Sequence, residues 1–497
     1  MAQRPFLPLA LAAALASAAA PAAAGAASNL TIRGAGFGHG IGMSQYGAMG
    51  MAQKGFDHER ILRHYFRGTQ LGQAPAGTVV RVLLQSPRVA TFSGATNAGT
   101  RKLSPGTTYG ARAASGGKVA LTSASGKTLA LFNPPLRVTN SADAPIKLRG
   151  TAGNGVTDGT YRGWLEFRPG AVGEVLAINA VGLEQYVAGV VPNESPGSWP
   201  AEALQAQAVA ARSYAITTSR SGENGWDQYP DTRSQVYKGA TSEYPTTNRA
   251  VNATAGQVVT YGGKPITAYF FSTSGGRTEN VENVWPGATP RPYLTSVDDP
   301  YDKVSPYHRW SPIVKTRGQV ESILSGYVKG RFQRIEIKQT GASPRIVKAD
   351  VVGTGGRTTV TGSTLQQRFG LRDTWITFNA LVTQVEAPPK GKLEPVREPD
   401  RDGDDGGDGG GPTVGGGASP VARVAWLARP RVVGELRPGR PGTRVALQRW
   451  AAAEGRWATV GATRLGTTRR YKIDLPGEGR YRVTADGLRG PVVRYAE

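Results

Sequence analysis

The chain has 497 residues and a mass of 52.3 kDa, with 59 Lys+Arg against 36 Asp+Glu and a formal charge of +23. Its 9 Trp, 18 Tyr and 12 Phe exclude a wholly disordered chain, and beyond Ser28 no stretch approaches the ~20 apolar residues that cross a bilayer. The absence of Cys excludes disulfides, Cys-ligated zinc, iron–sulfur clusters and a Cys nucleophile, and 4 His leave little for a His-based metal site.

In chain order, Arg4, the apolar residues 6–20 and the small residues Ala24-Gly25-Ala26 predict an export leader over residues 1–27. The mature chain opens on Gly36-Phe37-Gly38-His39-Gly40-Ile41-Gly42-Met43-Ser44-Gln45. A helix pair is predicted over 46–66, broken at Gly55, with Ile61, Leu62, Tyr65 and Phe66 at helical spacing. Residues 76–165 read as strands, because β-branched runs at 78–84, 118–121 and 128–132 alternate with Gly, Ser and Pro clusters. Strands are also predicted over 174–179 and 187–191.

The clearest helix signal is 200–218. Pro200 suits a first turn, Glu202 complements the positive helix end, and seven alanines favour helix and close packing. Strands at 256–261 and 266–271 follow, then two or three more over 332–378 with a short helix at 365–369. Residues 381–420 read as a disordered linker, charged over 397–408 and glycine-rich over 406–417. Asp400, Asp402 and Asp404 have calcium-loop spacing, but Asp405 stands where that loop needs Gly and no Glu closes it, so solvated linker is the better reading. Short strands at 444–450, 457–460 and 480–483 predict a small sandwich-like domain over 421–497. The expected fold class is α+β: a strand-rich domain over 28–380 with an Ala-rich helix, plus an all-β C-terminal domain. Within 28–380, the glycine-rich block takes 28–75, the β-rich part 76–165 and the core 166–380.

The basic excess asks for an anionic partner: nucleic acid, an anionic envelope polymer or an acidic glycan. The charge is dispersed rather than gathered in Lys/Arg runs, which argues against a nucleic-acid arm. Export then makes nucleic acid an unfavourable choice and a wall polymer the preferred one.

Glu194 draws attention as a carboxyl between the predicted strand 187–191 and the Ala-rich helix, since such loops present catalytic groups on rigid scaffolds. If Trp199 walls it off from water, its ionised form is disfavoured and its pKa rises, as a general acid for a glycosidic oxygen requires. The same position also suits an ordinary surface glutamate. Gln207 and Arg212 lie on the following helix, but five residues turn roughly 500°, so they point about 140° apart and cannot both face one pocket squarely. His39, between Gly38 and Gly40, suits a tight turn or a close backbone approach to a ligand. His39, His58 and His64 lack zinc spacing, and Ser44 near His39 lacks a nucleophile elbow.

Two blocks carry a resemblance. One runs from Gly36 to Ala48 and continues as Ile61-Leu62-Arg63-His64-Tyr65-Phe66-Arg67-Gly68-Thr69; the other is Glu194 followed by Trp199-Pro200-Ala201-Glu202-Ala203-Leu204-Gln205-Ala206-Gln207-Ala208-Val209-Ala210-Ala211-Arg212-Ser213-Tyr214-Ala215. Asp231 with Ser234-Gln235-Val236-Tyr237-Lys238-Gly239, and Ser272-Thr273-Ser274-Gly275-Gly276, support it. In these patches, between about residues 30 and 380, the chain resembles the SpoIID/LytB family, the stage II sporulation protein D type of wall enzyme. The resemblance implies an exported lytic transglycosylase that cuts peptidoglycan between N-acetylmuramic acid and N-acetylglucosamine, leaving a 1,6-anhydro end. It implies Glu194 as acid, then base. One carboxyl suffices because the nucleophile belongs to the substrate, whereas hydrolytic glycosidases usually need two. By the same match Gln207, Arg212, His39, Ser44, Gln45, Asp231, Gln235, Tyr237 and Ser274 are candidate substrate-binding residues.

Two features depart from the family pattern. The Gly-His-Gly block stands at the N-terminal instead of the C-terminal end, and no Cys accompanies the Ser-Gly-Gly segment, so neither metal nor cofactor is expected. The implied partners are peptidoglycan strands, with anionic wall polymers or a wall amidase besides, and the implied location is extracellular or wall-associated. Part of the family is described as enhancing an amidase, which offers a non-catalytic, wall-binding alternative. A third is a wall-anchored scaffold in which the C-terminal domain is the working part.

Overall fold

The computed structural model describes residues 27–219, 225–386, 431–437, 439–490 and 492–495. The expected leader and most of the expected linker, including Asp400, Asp402 and Asp404, lie outside the described residues. The architecture is mixed and strand-rich, 38% strand and 21% helical. Contacts divide it into two units: Arg33–Pro312 with Ile323–Thr377, and Met1–Ile32 with Ile313–Ser322 and Phe378–Glu497.

The larger unit contains two six-stranded sheets. One has the order Val79–Gln85, Val175–Gly182, Trp164–Pro169, Leu136–Thr139, Asn97–Ala98, Arg101–Lys102; the other runs Thr128–Phe132, Lys118–Ser123, Tyr109–Ala114, Val89–Ser93, Ile146–Leu148, Thr160–Tyr161. Their apolar faces meet in one core, where the Phe92 and Phe167 rings stack with centroids 5.3 Å apart. The apolar alternation of Val80, Val82 and Leu84 sends these side chains inward, as period-two patterning requires.

The helix Ala201–Thr217 is buried on more than one side. Leu204, Ala208, Ala211 and Ala215 join the sandwich core, while Ala206, Val209 and Ala210 join a second core built by the helices Gln45–Ala52 and His58–Tyr65. Alanine at these positions lets both cores approach the helix axis. The predicted helix pair is thus observed, with Gly55 between its members in a left-handed conformation (φ 83°).

Two predicted strands are corrected. Residues 183–188 form a helix and Val191–Glu194 a further helical turn, where a strand at 187–191 was expected. Leu183, Tyr186, Val187 and Val190 recur at helical spacing, and all four are buried. The second is 266–271: only Phe270–Phe271 is strand there, because the Tyr269 N–H turns back to Thr267 O and Phe270–Phe271 instead pairs in parallel with Met43–Ser44.

The N-terminal block is stitched to the rest of this unit over long sequence separations. Phe37 and Thr273 exchange backbone bonds at 2.8 and 3.0 Å, and the Gly38 N–H reaches Arg372 O at 3.1 Å. Gly40 (φ 84°) sits against Arg345, whose Nε would lie 2.6 Å from an added Cβ. The Arg345 guanidinium is buried and forks onto Asp373 at 2.9 and 2.8 Å, with further bonds to Ser274 O and Arg277 O.

In the other unit, a five-stranded sheet runs Ile313–Thr316, Ala27–Gly34, Ile376–Glu386, Arg431–Arg437, Arg470–Asp474. The strand Ile376–Glu386 extends into the segment expected as linker and pairs with Arg431–Arg437 from Ala380 to Glu386. A second sheet, built on Arg444–Ala451, Arg456–Arg464 and Gly479–Ala485, shares a core with it through Val432, Ile473, Leu447 and Val483.

Replacing Asp373 by Ala leaves the buried Arg345 guanidinium without its counter-charge. The expected loss is about 3–5 kcal/mol, read from urea unfolding of the variant beside wild type.

Candidate functional site

Glu194 ends the helical turn Val191–Glu194, and the chain then crosses by Pro196 and Gly197 to the long helix. Its carboxyl is held from two distant segments. Oε1 accepts the Val236 N–H at 2.9 Å, and Oε2 accepts Gln45 Nε2 at 3.3 Å. Gln45 Nε2 also reaches Glu194 O at 3.1 Å and Gln207 Oε1 at 3.4 Å. Burial raises the carboxyl's pKa above its ordinary value of 4.5; the Val236 N–H and the Gln45 amide oppose that rise without cancelling it. Glu194 therefore has the property expected of a general acid, together with donors that hold the carboxylate once its proton is given up. Trp199, expected as its apolar wall, packs edge-to-face on Tyr46 with centroids 5.0 Å apart.

Gln207 is 1% exposed and faces Gln45, with its Nε2 unpartnered among the described residues. Arg212 points elsewhere, as the helical spacing predicts. It is fully buried, forks onto Glu184 at 2.9 and 2.7 Å and donates to Gln257 O at 2.9 Å. The structure thus brings Gln45 and Gln207 to Glu194 and does not bring Arg212 there.

The 231–239 segment supplies the Val236 N–H. Gln235 is buried, accepting the Tyr186 hydroxyl at 3.0 Å and donating to Ala211 O at 3.3 Å. Tyr237 stacks on Tyr186, centroids 5.1 Å apart, and donates to Asn179 Oδ1 at 2.6 Å. These two side chains fix the backbone that presents the Val236 N–H. Asp231 sits farther along the loop, ion-paired with Arg233 at 2.7 Å.

Ser44 and Ser274 meet in a separate buried cluster. Ser44 Oγ caps the helix Gln45–Ala52 by accepting the Gly47 N–H at 3.1 Å and donates to Asp302 at 3.2 Å. Asp302 also accepts the N–H groups of Ser274 and Gly275 and lies 2.8 Å from His308 Nδ1. Ser274 Oγ donates to Asp299 at 2.8 Å. Burial, then the nearby Asp302 charge, push Asp299 up to about 7. His39 is elsewhere again: its Nδ1 accepts the Ile41 N–H at 3.0 Å, and its ring lies among Tyr269, Phe271 and Trp285. Burial and the Arg345 charge lower its pKa to about 4, so it is neutral at neutral pH.

Sequence reasoning missed Val236, Tyr186, Asp299, Asp302, His308, Arg345 and Asp373 as contributors. Val236 acts through its backbone and carries no side-chain signal. Tyr186, Asp299, Asp302, Arg345 and Asp373 take their roles from partners 25 to 258 residues away, and His308 joins the cluster through Asp302, six residues before it.

A SpoIID model, described as stage II sporulation protein, matches residues 171–261. Stage II sporulation protein D of Bacillus subtilis (strain 168) is 36% identical over 213 residues, 39% of this chain and 60% of that protein. Its counterpart from Bacillus amyloliquefaciens is 41% identical over 146 residues, 26% of this chain and 42% of that protein. A protein named amidase enhancer from Bacillus subtilis (strain 168) is 45% identical over 115 residues, 23% of this chain and 15% of that one. The chain therefore spans less than two thirds of the length of each of these relatives.

Folding raises the proton affinity of Glu194, so its contribution to stability is present below 4.5 and is lost as pH rises through the folded value. Glu194→Gln should therefore melt higher than wild type at neutral pH, by about 2–4 °C for each kcal/mol recovered. The gain should vanish near pH 4, where both side chains are neutral; calorimetry at the two pH values reads the difference.

Proposed function

Because this chain belongs to the SpoIID family, we propose that it acts on the bacterial cell wall as an exported lytic transglycosylase of peptidoglycan glycan strands. The observation that carries the reading is a half-buried carboxyl of raised pKa, Glu194, held by donors that tolerate both of its protonation states. In the first step protonated Glu194 gives its proton to the glycosidic oxygen as the bond from muramyl C1 breaks. In the second, the carboxylate takes the proton of the muramyl 6-hydroxyl, whose oxygen bonds to C1 and closes the 1,6-anhydro ring. No water is consumed, and Glu194 ends as it began.

On this reading Gln45 and Val236 are positioning groups. The Gln45 amide is constrained by Gln207 and by Glu194 O, so the carboxyl is pre-oriented rather than free to rotate. Such preorganised acid–base help is worth roughly 10²–10⁴-fold in rate. Arg212 supports the site indirectly, pinning the long helix to Glu184 and to the Gln257 carbonyl. His39, Ser44 and Ser274 act in the same indirect way, as supports of the segment that delivers Gln45.

The relative named amidase enhancer motivates a second reading, in which the same domain binds wall and assists an amidase without cutting glycan. One experiment separates the two. Purified glycan strands, with and without stem peptides, are incubated with wild type or Glu194→Gln and the products weighed by mass spectrometry. The transglycosylase reading predicts 1,6-anhydro ends from wild type and a rate lower by roughly 10²–10⁴-fold for the variant. Reducing ends would make the protein a hydrolase with a second carboxylate. No cleavage by folded wild type would favour the amidase-assisting role.

A further inference from the structure

The C-terminal sheet has two unlike faces. Val445, Leu447, Tyr481, Val483 and Ala485 alternate into a buried core. The register sets out the opposite face in rows: Trp457 beside Trp450, then Thr459 beside Gln448 beside Arg482, then Ala446 beside Thr484 beside Arg489, with Arg444 beside Arg464 at the end. A cavity of about 490 Å³ on this face is lined by Arg444, Gln448, Arg482, Thr484 and Arg489, and Asp486 is the one acid among its described lining residues.

The guanidinium of Arg482 is held in place. Its Cζ lies 4.4 Å from the centroid of the Trp457 ring, and its Nε donates to Gln448 Oε1 at 2.7 Å. Stacking on an aromatic ring orders a guanidinium while leaving its outer N–H groups for a ligand. Burial, then the nearby Arg489 charge, lower the proton affinity of Arg482, as expected where cations crowd with little acid between them.

We propose that this face docks an acidic glycan, a polysaccharide whose sugar rings carry carboxylate or phosphate groups. The three arginines of the cavity take the anionic groups, for which planar forks are suited. The Gln448 amide and the Thr459 and Thr484 hydroxyls take ring hydroxyls. A nucleobase is a poorer fit, because Arg482 already covers the Trp457 face on which it would stack. The assignment is independent of Glu194, whose chemistry belongs to the other unit.

The test uses the full chain in affinity electrophoresis against four probes: polygalacturonate, dextran, poly-L-glutamate and single-stranded DNA. Polygalacturonate should retard the protein on the order of tenfold more strongly than each of the others, and less as salt rises. The double variant Arg482→Gln/Arg489→Gln should lose on the order of tenfold in that binding while cutting glycan as wild type does. Arg444→Gln, at an exposed position, serves as a second variant should the double variant fail to fold, with the same direction of effect. Equal retardation by poly-L-glutamate, tighter binding of DNA, no binding of polygalacturonate, or wild-type binding by the folded variants would each overturn the proposal.

Discussion

A half-buried carboxyl that must both hold and release a proton needs donors aimed at it, and Glu194 receives them from outside its own loop. The Val236 N–H arrives 42 residues later in the chain, and the Gln45 amide comes from 149 residues earlier. Burial alone would keep the carboxyl neutral, while donors without burial would leave an ordinary surface acid. The opposition of the two sets its chemistry, and much of the larger unit is arranged to maintain it.

Gln45 is delivered by a block with little regular structure of its own. Ser44 is tied to Asp302, Met43–Ser44 pairs in parallel with Phe270–Phe271, and Gly40 packs against Arg345. Asp302 receives bonds from both the Ser44 and the Ser274 segments, so one buried carboxylate joins the two glycine-rich stretches. Behind them Arg345 and Asp373 close the arrangement from the far end of the unit. The long helix does comparable work from the other side, with Gln207 toward the site and Arg212 toward Glu184. A helix so rich in alanine can be enclosed by two cores, which is why Arg212 and Ser213 on it are buried and paired rather than solvated.

The elements that sequence reasoning located are those with strong local signals. The Ala-rich helix, the helix pair around Gly55 and the strands over 79–85, 118–123 and 128–132 follow from spacing and turn residues. Residues 187–191, valine-rich as a strand would be, are helical instead because Leu183, Tyr186, Val187 and Val190 recur at helical spacing and bury one face. For the site, helical geometry separates Gln207 from Arg212, and removal from water shifts the Glu194 pKa upward, the direction expected of a carboxyl walled off from solvent. Single residue types carried no such message about partners. Nothing local marks Gln45 as the neighbour of Glu194, or Ser274 as the partner of Asp299, because those contacts exist only once distant segments meet.

The account rests on the proton affinity of one side chain, and direct titration tests it. Carboxyl resonances of ¹³C-labelled glutamate, followed against pH in wild type and Glu194→Gln, would isolate the Glu194 signal. A midpoint above the ordinary 4.5, moving higher still when Gln45→Ala removes its amide donor, is the predicted result. A midpoint at or below 4.5, or one unmoved by the loss of Gln45, would contradict it.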